Sequence, residues 1–296
     1  MRRMWAAVAA IALCLALGGL PVVGQEASSG GSAEVPTAYV HPEVLVDADW
    51  LAEHVDDPTV RIVDARAPGD LLGSASHLPG AVFVDICCAS DIMGVEPFAR
   101  LMGELGIGDD TTVVVYDALG GLRSARLWWA LQYYGHEDAR LLDGGIRAWM
   151  DVDGPLETDT PEVEPAVFTA EVQPEWYVAM DQVKAAIDDP AITIVDALPA
   201  DRHRLEHIPT AVSLPAPDLL DWTRTVKAPE ELSAMLEDAG LDPAQRTITS
   251  CSGGYYGAFA AFVLHLMGFE SVALYDGSLA EWTSNPSNPV EGAWHE

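Results

Sequence analysis

Lysine is all but missing from this chain. Lys184 and Lys227 are the only two, and 15 basic residues stand against 46 acidic ones, a net charge of −31 at pH 7. The acids are spread along the sequence instead of gathered in one tail. Such a surface repels phosphates and argues against nucleic acid as a partner. It suits a protein adapted to high salt, where screening relieves self-repulsion. Cysteine is scarce too: Cys14, Cys87, Cys88 and Cys251 are too few for a disulfide scaffold. No apolar run after residue 20 is long enough to span a bilayer. The histidines show no ligand spacing, so no metal is expected.

What is present begins with Met1-Arg2-Arg3 and the apolar run Met4 to Leu20, followed by Val22-Val23-Gly24. Two charges, a hydrophobic centre and small residues before Gln25 predict a signal peptide over residues 1–24 and an exported protein, periplasmic or extracellular. An uncleaved membrane anchor is the alternative. Cleavage would remove two of the 15 basic residues and no acid, leaving 13 against 46 and a charge of −33. It would also remove Cys14, leaving three thiols, of which a monomer must keep one free. Residues 25–39, rich in Gly, Ser, Ala and Glu, read as a flexible tether.

The stretch that draws the eye is Thr249-Ser250-Cys251-Ser252-Gly253-Gly254-Tyr255-Tyr256. An apolar, strand-like run ends at Cys251, two glycines follow, and an apolar helix-like segment begins near Ala258. Glycines let a loop turn its N–H groups inward, and the next helix adds its positive end. That arrangement stabilises an anion, and the thiolate is the nucleophilic form of cysteine. The competing reading is a buried cysteine acting as a small apolar residue. Tyr255 and Tyr256 are expected to wall the pocket.

Landmarks then recur. Asp64 and Asp196 end similar strands, Asp117 and Cys251 begin similar loops, and Asp143 and Asp276 open similar turns ahead of Trp149 and Trp282. The separations are 132, 134, 133 and 133 residues, a near-constant offset that indicates a duplicated domain. The halves are read as residues 40–150 and 177–296, joined by a proline-rich linker over 151–176. Short strands alternate with helices in each, which predicts an α/β fold with two open, mainly parallel sheets flanked by helices. Ligands bind such sheets beyond the carboxyl ends of the strands. Asp117 and Cys251 both fall there, and only the second is a nucleophile.

With Asp64-Ala65-Arg66, His77-Leu78-Pro79-Gly80-Ala81, Arg126-Leu127-Trp128-Trp129, Leu142-Asp143-Gly144-Gly145 and Tyr275-Asp276-Gly277-Ser278, the chain resembles the tandem-domain rhodanese family of thiosulfate and 3-mercaptopyruvate sulfurtransferases over about residues 40 to 293. The resemblance implies a silent first domain and a catalytic second one. Cys251 would take sulfur from a small anionic donor as a persulfide and pass it to cyanide or a thiol, without cofactor. The loop residues Ser252, Gly253, Gly254, Tyr255 and Tyr256 would hold the substrate, and Arg202 would meet its charge. Two departures stand out. Thiosulfate-type loops carry basic residues after the cysteine, and this loop has none. Mercaptopyruvate-type loops read Cys-Gly-Ser-Gly-Val-Thr, whereas here the serine comes one place early. Ser252 either substitutes for it or bonds to local backbone. Arg204 and His77 are accessory candidates, with a solvated charge and a turn histidine as their ordinary readings. Cys87 or Cys88 could serve as a resolving thiol or sulfur acceptor, their ordinary reading being small apolar residues. A related cysteine phosphatase is disfavoured, because Gly257 stands where its arginine belongs; a binding protein that keeps the fold without the chemistry is the remaining alternative.

Overall fold

Runs of β-branched residues bounded by turn formers give short buried strands, and the segments between them are long enough for helical crossovers. The computed structural model describes residues 33–67, 76–85 and 93–294. Its first half runs β1 (Leu45–Val46), α1 (Ala48–His54), β2 (Val60–Asp64), β3 (Val82–Phe83), α2 (Val95–Glu104), β4 (Thr112–Tyr116), α3 (Ser124–Tyr133), β5 (Ala139–Leu142) and α4 (Gly145–Asp151). The second half runs α5 (Met180–Ala186), β6 (Ile192–Asp196), α6 (Ala200–His203), β7 (Val212–Ser213), α7 (Pro229–Asp238), β8 (Arg246–Ser250), α8 (Tyr255–Leu266), β9 (Val272–Leu274) and α9 (Ser278–Ser284). Asp47 caps α1 by accepting from the Trp50 N–H at 2.7 Å.

Two parallel sheets result, ordered β1-β5-β4-β2-β3 and β7-β6-β8-β9. The duplication holds at the level of register. Val60 to Asp64 pair with Thr112 to Tyr116 in the first sheet, and Ile192 to Asp196 pair with Arg246 to Ser250 in the second. Val113, Val114 and Val115 in β4 are fully buried, as a central parallel strand covered on both faces requires. Asp117 and Cys251 therefore leave matching ends of matching strands.

The two halves meet through α3 and α8. Trp128 packs edge-on against Phe262 with centroids 5.0 Å apart, and α8 is buried from Gly257 to Leu264. A helix apolar on every side belongs inside a protein. The 151–176 linker is extended and lies along the first half, where Ala166 N–H donates to Gly103 O and Glu171 N–H to Tyr134 O.

One expectation is corrected. The described end of the predicted tether, residues 33–39, packs against the second half instead of hanging free. Val35 is 1% exposed and its carbonyl accepts from Ser233 Oγ, while Tyr39 donates to Lys227 O at 2.7 Å. Val40 and His41 then donate to Leu266 O at the end of α8. The predicted signal peptide, Cys14, Cys87 and Cys88 lie outside the described residues.

Candidate active site

Cys251 follows the last residue of β8 and is 3% exposed. Its Sγ accepts from the Gly254 N–H at 3.1 Å. That geometry needs Gly254 at φ +90°, a conformation open to glycine and costly for residues with a Cβ. The loop is pinned from behind. Leu279 and Ala280 in α9 donate to the carbonyls of Cys251 and Ser252 at 2.9 and 3.0 Å. Ser278 Oγ accepts from the Cys251 N–H at 3.1 Å and donates to Tyr275 O at 2.9 Å, lying 4.0 Å from Sγ. With one hydroxyl proton already on a carbonyl, Ser278 acts first as a brace for the cysteine backbone.

The equivalent loop of the first half shows what this backbone shape is for. Asp117 turns its own carboxylate into the loop, where Oδ1 accepts from the N–H groups of Leu119 and Gly121 at 2.8 and 2.9 Å. Oδ2 accepts from Arg123 and Ser124 at 2.6 and 2.9 Å. Four inward amides around one anion form a nest, and in this half the nest is filled by the protein itself. Cys251 opens the corresponding loop without such a plug.

Arg123, the residue before α3, and Arg126 within it cross to the second loop. Arg126, buried, donates from Nη1 to Gly253 O at 3.1 Å and pairs through Nη2 with buried Asp276 at 2.6 Å. The guanidinium carbons of Arg123 and Arg126 lie 5.1 and 5.2 Å from the centroid of the Tyr255 ring, within cation–π range. Sequence reasoning assigned no site role to Arg123, Arg126 or Ser278. Arg126 and Ser278 stood inside the quoted motifs, but a contact across 127 residues has no local signal.

The predicted site residues divide into two groups. Cys251, Ser252, Gly253 and Gly254 form one loop and Tyr255 and Tyr256 open α8 directly after it, with Ser252 exposed and both tyrosines half-buried. The others have different partners. Arg202 is exposed on α6, its guanidinium over the Trp294 ring at 5.7 Å, and makes no hydrogen bond to this loop. Arg204 is exposed, and its carbonyl accepts from the Ala293 N–H. Where a basic residue stands two places after Asp64 in the first half, Leu198 stands after Asp196, and His203 fills the gap by bonding Asp196 Oδ2 at 2.9 Å. His77 binds backbone through both ring nitrogens, Nδ1 to Leu78 O at 2.7 Å and Nε2 to Asp159 O at 3.0 Å. Among the described residues no three metal-ligating side chains converge.

The family model described as "Rhodanese-like domain" matches residues 47–151 and again 179–285. The chain is 36% identical over 280 residues to the 3-mercaptopyruvate sulfurtransferase of Escherichia coli strain K12, covering 83% of this chain and 97% of that one. It is 32% identical over 270 residues to the human protein of the same name, covering 80% and 91%. The crystal structure of SseA from Escherichia coli superposes with a TM-score of 0.72 at 34% identity, covering 79% of this chain and 98% of that one. The EanB structures match in fold, with a TM-score of 0.78 at 23% identity for the wild type, over 85% and 69%.

Proposed function

The chain belongs to the rhodanese family and is a sulfurtransferase, and from that premise we propose that it works through a persulfide on Cys251. The thiolate attacks the outer sulfur of thiosulfate or the thiol sulfur of 3-mercaptopyruvate, forming a new S–S bond. With thiosulfate the old S–S bond breaks and sulfite leaves with its electron pair. With 3-mercaptopyruvate the C–S bond breaks, and the thiol proton ends on the methyl carbon of pyruvate. The persulfide then gives its outer sulfur to cyanide or a thiol. The observation that carries this reading is the Gly254 N–H on Cys251 Sγ, in a loop whose counterpart encloses a carboxylate. Donors fixed at the place where anionic sulfur develops lower the barrier, as in an oxyanion hole.

Mass spectrometry after incubation with each donor should show a gain of one sulfur atom on Cys251, absent from Cys251→Ser. No gain from either donor would overturn the proposal. Export is proposed from residues 1–24 on the sequence alone. N-terminal sequencing of the secreted or periplasmic protein should begin at Gln25, and a start at Met1 would refute cleavage.

A further inference from the structure

We propose that the silent first domain supplies the charge that selects the sulfur donor, through Arg123. This rests on the sulfur-transfer reading of Cys251 and adds a residue to it. The loop itself has no basic side chain, and Arg202 is stacked on Trp294. Two cations from the other half nevertheless meet at Tyr255, the first residue of α8 and four places after Cys251. Arg126 is committed to shaping the loop, since it is buried, salt-bridged to Asp276 and bonded to Gly253 O. Arg123 is half-buried and lays its guanidinium against the Tyr255 ring. Its backbone is fixed by the 2.6 Å bond from its own N–H to Asp117. The nest that makes the first loop inert thus gives Arg123 a rigid base from which to face the reactive loop.

Coulomb energy scales with ligand charge, so a cation beside the donor path favours thiosulfate, a dianion, twice as strongly in energy as the monoanion 3-mercaptopyruvate. Fold-changes therefore square. If Arg123→Gln slows persulfide loading by about threefold with 3-mercaptopyruvate, the loss with thiosulfate should be about tenfold. Molar salt should shrink both losses, because a half-buried charge is partly screened.

The test uses the full chain. Second-order rates of Cys251 persulfide formation are measured for wild type, Arg123→Gln and Arg123→Lys with both donors, at low and molar salt. Charge selection predicts the unequal losses, recovery of most of the rate in Arg123→Lys, and convergence in salt. Equal losses with both donors, or a lysine variant as slow as glutamine, would overturn it in favour of simple loop support. A second measurement is independent of turnover. Sulfate, a dianion that transfers no sulfur, should protect Cys251 from iodoacetamide, and Arg123→Gln should need about tenfold more of it. Equal protection in both proteins would also overturn the proposal. Failure of wild type to load sulfur, with sulfate protection still dependent on Arg123, would instead sink the transfer reading and with it donor selection, leaving Arg123 as an anion-binding residue alone.

Discussion

Gly254 holds φ at +90°, and a Cβ there would collide with the Arg126 guanidinium and the Asp276 carboxylate. Gly254→Ala should therefore cost about 1–3 kcal/mol of stability and turn the N–H away from sulfur, lowering both the urea midpoint and the rate of persulfide formation. Two other residues have opposed pH effects. Burial raises Asp143 to about 6, with Asp221 adding to the shift against the opposing Val226 N–H. A raised carboxyl contributes stability that is full below its unfolded value near 3.9 and lost as pH rises through 6. Burial lowers His265 to about 4, helped by His41 stacked on it at 4.4 Å. Its contribution is full above about 6.5 and lost as pH falls toward 4. Relative to wild type, Asp143→Asn should lose stability on acidification from pH 6.5 to 4, and His265→Gln should gain it. Thermal midpoints across that range decide the signs.

At the scale of elements, α8 is held at both ends: its first turn by the arginines of the first half, its last carbonyl, Leu266 O, by the 33–41 arm. Val35 is the arm's buried anchor, and Val35→Ala should cost about 2 kcal/mol in urea unfolding. The sheets were legible in sequence because β4 and β8 are short runs rich in β-branched residues, closed by chemically distinct loops and repeated at one spacing. The loop 251–256 was legible for the same reason. The arm was not. Gly and Ser around it have the composition of a tether, and a single valine that finds a pocket some 200 residues away leaves no periodic trace. The cations were missed likewise, since Arg123 and Tyr255 are neighbours only after both domains have folded and docked.

The whole molecule carries −31 charges, so long-range repulsion opposes both folding and the approach of an anionic donor. Molar salt should raise the unfolding midpoint, and a midpoint unchanged by salt would refute adaptation to it. Salt then acts on the donor in two senses: it relieves repulsion by the distant surface and weakens attraction by Arg123. Thiosulfate loading should accordingly rise with salt more steeply in Arg123→Gln than in wild type.

The carboxylate of Asp117 has one more consequence. It is a ligand tethered to its own receptor, and the effective concentration of such a group exceeds that of any dissolved anion by orders of magnitude. Neither substrate, product nor brine can compete for that nest. The first domain is in this sense permanently saturated, and the shape it holds for the second does not depend on what the solution contains.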